Sequence, residues 1–159
     1  MLLAVLTISD RCASGVMTDT AGPALVARLR EQWPGAEIRT LLLSDDEDAI
    51  AAALEQLAAH GAQLVLTAGG TGLGPRDRTP EATRRVIDRE APGLAEAMRA
   101  RSAEQNPYAW LSRGVAGLRG RTLVVNLPGS RRGAEESWMA IAPLVLHGLD
   151  IAAGGHDHP

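Results

Sequence analysis

Apolar residues in this chain fall into short unbroken runs, separated by longer stretches where they recur every three or four positions. The runs Met1 to Ile8, Glu37 to Leu43, Leu64 to Ala68 and Arg121 to Leu127 have the length expected of strands, mostly buried on both faces. Between them, Leu25, Val26 and Leu29 lie on one face of a helix expected from about Ala21 to Gln32, stopped by Pro34-Gly35. Ile50, Leu54 and Leu57 repeat the pattern behind Ser44-Asp45-Asp46-Glu47, an S-x-x-E capping box opening a helix that runs to about His60. Further helices are expected over Pro80 to Arg89, Leu94 to Ser102 and Ala134 to Leu149, the last kinked or interrupted at Pro143. Cys12 to Asp19 reads as a loop. Gln105 to Gly120 reads as irregular, with a short strand near Leu111 to Val115. Gly154 to Pro159, containing His156 and His158, reads as a mobile tail, leaving 1–153 as one domain.

Strands alternating with helices imply an α/β fold with a mainly parallel sheet covered by helices on both faces. Ligands bind such folds beyond the carboxyl ends of the strands. Four unusual clusters fall at those ends: Ser9-Asp10-Arg11, Ser44-Asp45-Asp46, Thr67 to Asp77, and Pro128-Gly129-Ser130. Their convergence on one rim predicts a pocket.

The third cluster stands out. Leu64-Val65-Leu66 gives way to Gly69, Gly70, Gly72 and Gly74, then to Pro75, Arg76-Asp77-Arg78, and Thr79-Pro80-Glu81. Threonine as a cap, proline at the first helical position and an acidic first turn mark a helix start. Glycines bring backbone N–H groups close to an anion, and the helix start adds donors and a favourable dipole. The spacing matches neither a Walker A loop nor G-x-G-x-x-G. A plain strand-to-helix connection needs neither four glycines nor a charged triplet, so an anionic, phosphate-bearing ligand is expected.

Composition narrows the classes. The 159 residues suffice for one domain with a proper core, 45% are hydrophobic, and phenylalanine is absent, so the core is aliphatic. A net charge of -3 speaks against general nucleic-acid binding. No basic leader precedes the first apolar run, and no run approaches the roughly 20 residues that span a bilayer. With the single cysteine Cys12 this predicts a soluble, cytoplasmic protein with no membrane or nucleic-acid partner.

The expected pocket holds Asp10, Asp45, Asp46 and Asp77, with Arg11, Arg76, Arg78 and Arg131 as counter-charges. Carboxylates beside phosphate-binding loops repel their ligand unless a hard cation such as Mg²⁺ lies between. That combination points to nucleotide or phosphoryl chemistry. Asp45 and Asp46 equally suit the dipole of a first helical turn, and Asp77 equally suits pairing with Arg76 or Arg78. Cys12 lacks a histidine in a recognisable partner pattern. Trp33, Trp110 and Trp138 read as core or interface residues.

The ordered segments S-D-R (Ser9–Arg11), D-T-A-G-P (Asp19–Pro23), S-D-D (Ser44–Asp46), G-G-T-G-L-G-P-R-D-R-T-P-E-A-T (Gly69–Thr83), P-G-L-A-E-A-M-R (Pro92–Arg99), L-S-R (Leu111–Arg113) and N-L-P-G-S (Asn126–Ser130) span nearly the whole chain. Together they resemble the MogA/MoaB family of molybdenum-cofactor biosynthesis proteins, which includes the gephyrin G domain. The resemblance implies a three-layer α/β/α domain, a trimer, and transfer of AMP from Mg-ATP to the molybdopterin phosphate with release of pyrophosphate, ahead of a downstream molybdenum insertase. It places catalysis and Mg²⁺ at Asp45 and Asp77. It places Ser9, Asp10, Thr67, Gly69, Gly70, Thr71, Gly72, Gly74, Arg76 and Ser130 in the nucleotide and pterin pocket. Ser44 stands where the family often has proline, and Arg131-Arg132 where it often has Pro-Lys. Two other readings are a MoaB-type protein that binds molybdopterin without transferring AMP, and a non-catalytic trimeric scaffold.

Overall fold

The computed structural model describes residues 1–155; His156 and His158 of the expected tail lie outside them. Six strands form one sheet: β1 (Leu2–Ile8), β2 (Glu37–Leu43), β3 (Leu64–Ala68), β4 (Arg89–Glu90), β5 (Ala116–Arg119) and β6 (Thr122–Leu127). Their order is β2-β1-β3-β6-β5-β4. The first four run parallel, while β5 is antiparallel to β6 and to β4. The helices are α1 (Asp10–Ala13), α2 (Ala21–Gln32), α3 (Glu47–Ala59), α4 (Thr79–Val86), α5 (Pro92–Ala103) and α6 (Arg131–Ala152), with a 3₁₀ turn at Pro107–Leu111. Among the described residues no helix is long and apolar enough to cross a membrane.

The central strands are buried on both faces because alternate side chains enter two separate cores. Leu3 and Val5 of β1 and Leu64 and Leu66 of β3 meet Leu25 and Leu29 of α2, Met98 of α5, and Trp138 and Ile141 of α6. Ala4, Leu6 and Ile8 with Val65 meet Ile50, Leu54 and Leu57 of α3, and Ala82 and Val86 of α4. The result is the expected three layers. Trp33 and Trp138 join the first core with rings 6.2 Å apart, whereas Trp110 stays 59% exposed. From β1 the chain crosses one face through α2 to the edge strand β2. It returns across the other face through α3 to β3. The connections leaving β1 and β3 therefore diverge and open a crevice at their carboxyl ends.

Local chemistry moves several expected boundaries. Cys12 does not open a loop: Ser9 Oγ accepts from the Cys12 N–H at 3.2 Å and caps the single turn α1. The box at Ser44 does not form, because Asp46 caps α3 through the Ala49 N–H at 2.8 Å and Glu47 is held by Arg78 and Arg85. The Thr79 hydroxyl is not a cap for α4 either; it donates to the Gly69 carbonyl at 2.9 Å. That helix stops at Val86, not Arg89, since Ile87 turns extended and Arg89–Glu90 pair with β5. The short strand lies at Ala116–Arg119 rather than near Leu111–Val115, where the 3₁₀ turn intrudes. Helix α6 begins three residues early, capped by Ser130, and runs through Pro143 without interruption.

Candidate functional site

The crevice is an open cleft of about 600 Å³. The ends of β1 and β3 form its floor, and Ser9, Asp45, Gly69 to Gly72, Asp77 and the turn residues Gly129 and Ser130 after β6 line it. The glycines explain how three strand ends come so close. A Cβ on Gly69 would lie 2.1 Å from the Ile8 carbonyl oxygen, and one on Gly129 would lie 3.0 Å from the Gly69 Cα. Gly69 and Gly70 also hold φ of 111° and 62°, which side-chain-bearing residues rarely adopt.

The other glycines make room for carboxylates. A Cβ at Gly70 would meet Asp45 Oδ1 at 2.9 Å; at Gly72 and Gly74 it would meet Asp77 Oδ2 at 2.9 and 2.8 Å. Asp45 and Asp77 thus lie close against the glycine backbone, Asp45 at Gly70 and Asp77 at Gly72 and Gly74. Each is fixed by one amide: the Asp10 N–H donates to Asp45 Oδ2 at 2.8 Å, and the Gly74 N–H to Asp77 Oδ2 at 2.8 Å. Asp45 returns the bond, its N–H donating to Asp10 Oδ1 at 3.0 Å.

Electrostatics separate the two coupled aspartates. Burial raises the Asp45 carboxyl above its ordinary 3.8, and the charges of Asp10 and Asp77 add to that, against the Asp10 amide. Asp10 is held below its ordinary value, first by the Asp45 amide and then by Arg76. Arg76 grips Asp10 with two N–H donors at 3.0 Å, and both side chains reach solvent. Asp10 and Arg76 therefore brace the rim beside the cleft rather than line it. Asp45 lines the cleft, and the charge of Arg76 offsets part of what burial and its acidic neighbours impose on it.

The remaining expected residues divide between lining and support. The hydroxyl oxygens of Ser9 and Ser130 each accept from a helix amide, from Cys12 and Gly133, at 3.2 Å; their own protons stay free to donate. Ser130 also starts α6, a 22-residue helix whose N-terminus opens on the cleft with Arg131. Thr71 lines the cleft; Gly74 lies outside its wall, beneath Asp77. Thr67 is fully buried below, where its hydroxyl accepts from Asn126 Nδ2 at 3.0 Å. Cys12 lines the cleft as a buried free thiol.

Sequence reasoning passed over three residues. Asn126, paired in register with Thr67, also donates to the Thr83 hydroxyl at 2.9 Å and accepts from the Val115 N–H. Asp19 accepts from Thr7 at 2.6 Å and from the Gly22 N–H, shaping the cleft wall. Arg113 donates to the carbonyls of Gly72 and Asp77. The N-L-P-G-S, D-T-A-G-P and L-S-R segments contain all three, but nothing in their spacing assigns the contacts.

These features define a three-layer α/β protein whose carboxylate-flanked glycine loop lies at the switch point of its sheet. The chain belongs to the family described as probable molybdopterin binding domain, which matches residues 4–147. It is 36% identical over 156 residues to the molybdopterin adenylyltransferase of Helicobacter pylori strain J99, covering 97% of this chain and 89% of that protein. The solved structure of MoaB from Thermus thermophilus shares 47% identity over 96% of both chains, with a TM-score of 0.87. A MogA structure shares 35% identity with a TM-score of 0.90, covering 96% of this chain and 99% of that one. Some curated relatives are longer. The chain matches the molybdenum cofactor synthesis protein cinnamon of Drosophila melanogaster at 38% identity over 92% of its own length but spans 25% of that protein. It spans about half of a bifunctional relative from Synechococcus elongatus and about a fifth of gephyrin from Dictyostelium discoideum.

Proposed function

We propose that this chain is a cytoplasmic molybdopterin adenylyltransferase that takes AMP from Mg-ATP, places it on the molybdopterin phosphate and releases pyrophosphate. One observation carries the reading: Asp45 and Asp77 line one cleft beside its glycine loop, with the Asp45 carboxyl raised above its ordinary range chiefly by burial. In the reaction a phosphate oxygen of molybdopterin attacks the α-phosphorus of ATP as the bond to the bridging oxygen of pyrophosphate breaks. Two anions must be brought together, so alignment and charge neutralisation supply most of the rate. The loop amides, the Ser9 and Ser130 hydroxyls, and the α6 N-terminus with Arg131 would hold phosphate oxygens.

Mg²⁺ fits the donors present. Among the described residues no three His, Cys, Asp or Glu side chains form a metal cage. Magnesium is ordinarily held by one or two carboxylates together with substrate phosphates, and Asp45 with Asp77 supplies that pair. Bound there, the cation would neutralise phosphate charge. Asp45 and Asp77 would orient it, and burial of Asp45 heightens its need for a cationic partner. The chain would act as a homotrimer that passes adenylylated molybdopterin to a molybdenum insertase. Sedimentation at three times 16.7 kDa checks the assembly.

The family description, which names binding alone, leaves a second reading: a MoaB-type protein that binds molybdopterin without transfer. Incubation with molybdopterin and Mg-ATP decides between them. Pterin-dependent pyrophosphate and adenylylated pterin, both lost in Asp45→Asn or Asp77→Asn, are the expected result. Bound pterin without pyrophosphate would establish the second reading.

A further inference from the structure

We propose that Arg113 is a positioning residue for adenylyl transfer, setting the glycine loop and Asp77 from behind the cleft; this rests on the transferase reading above. Arg113 belongs to neither the loop nor α4, yet it ties them together. Its Nε donates to the Gly72 carbonyl at 2.7 Å, and one Nη donates to the Asp77 carbonyl at 2.5 Å. The other Nη pairs with Glu81 in the first turn of α4. Its own N–H donates to the Thr71 carbonyl at 2.8 Å. The Thr79 amide and hydroxyl pin the start of the loop, at Gly70 and Gly69. Arg113 spans the stretch that follows.

That stretch carries the chemistry. Gly72 leaves room for the Asp77 carboxylate, the Gly74 amide holds it, and Arg113 holds the carbonyl of the same residue. A planar guanidinium can satisfy three acceptors lying in different directions; an ammonium on a flexible stem cannot hold the same geometry. The Arg113 and Glu81 side chains are 31% and 27% exposed, so the pair is partly shielded and geometrically fixed. Burial is the strongest single influence on the Glu81 carboxyl and pushes it up, but the Arg113 hydrogen bond, the Glu81 backbone amide and the charges of Arg113 and Arg78 together hold it below its ordinary 4.5. Arg113 does not line the cleft. Its effect on substrate is therefore indirect, through the position of Asp77.

The test compares Arg113→Ala, Arg113→Lys and the wild type, well below their melting temperatures, by pyrophosphate release and by amide hydrogen exchange of the loop. Misplacement of about 1 Å costs on the order of 100-fold, so kcat of Arg113→Ala should fall by about that factor. The KM for ATP should move by less than about threefold, because no substrate contact is removed. Added guanidinium ion should restore part of kcat, whereas Arg113→Lys should recover melting temperature more than kcat. In Arg113→Ala the Gly74 and Asp77 amides should exchange at least about tenfold faster, with β1 and β3 unchanged. A kcat within twofold of wild type, or unchanged loop exchange, would overturn the proposal. Absence of turnover in the wild type would instead overturn the transferase reading. Loop exchange alone then decides whether Arg113 positions Asp77.

Discussion

At the scale of single residues, the site depends on a carboxylate kept where it is uncomfortable. Burial and two neighbouring negative charges lift Asp45 above its ordinary value of 3.8. A folded-state pKa above the unfolded one means protonated Asp45 favours the fold, and that contribution is lost as pH rises through the folded value. Asp45→Asn cannot ionise and keeps an oxygen to accept the Asp10 amide. Its melting temperature should match wild type near pH 4 and exceed it near pH 7, while turnover collapses. Equal melting temperatures at both pH values would argue against the electrostatic account. Gly70→Ala probes the same spot from the backbone. At φ 62° a side chain costs about 1–2 kcal/mol. The added Cβ would meet Thr79 Oγ1 at 2.3 Å and Asp45 Oδ1 at 2.9 Å. The variant should fold, with a melting temperature lowered by a few degrees, and lose far more activity than stability; activity near wild type would show that Asp45 tolerates displacement.

At the scale of elements, the polar pin beneath the loop is Asn126. Its side chain, 1% exposed, links β6 to Thr67 of β3, to Thr83 of α4 and to the Val115 amide. Asn126→Leu keeps the branched skeleton but strands those partners, at about 1–3 kcal/mol for each buried group left unsatisfied. With three partners stranded, a drop in denaturation midpoint equivalent to at least about 3 kcal/mol is expected, and a neutral result would mean the partners find each other. Asn126 also shows what the sequence could and could not convey. The strands were legible because their runs are unbroken, and the helices because their apolar faces repeat. Boundaries failed where a side chain had two possible uses. Thr79 had the choice of capping α4 or holding Gly69, and Glu47 of closing a box at Ser44 or pairing with Arg78. Pairings far apart in the chain decided both. Likewise Gly69 to Gly74 raised the expectation of an anion site, but the same letters do not say that Gly70 makes room for Asp45 and Gly72 for Asp77. Arg76 looked like a substrate ligand from its position, yet the fold offers it Asp10 first.

At the scale of the whole molecule, the cleft joins elements that the chain order keeps apart. β1 and β3 contribute adjoining floor strands, the turn after β6 contributes Gly129 and Ser130, and the segment before α3 contributes Asp45. A ligand that touches all of them is present only in the folded state and so stabilises every element at once. At a concentration of 100 times its dissociation constant, such a ligand adds about 2.7 kcal/mol. For a chain of this size each kcal/mol shifts the melting temperature by roughly 2–4 °C, so about 5–10 °C is expected. The shift also separates the two functional readings without any turnover assay. A transferase must hold nucleotide as well as pterin, so Mg-ATP alone should raise the melting temperature, and chelating the metal or Asp45→Asn should abolish that rise. A binding-only protein should respond to molybdopterin and ignore Mg-ATP. If neither ligand shifts the transition, the cleft is not where this protein binds its phosphates, and the carboxylates on its glycine loop require a different explanation.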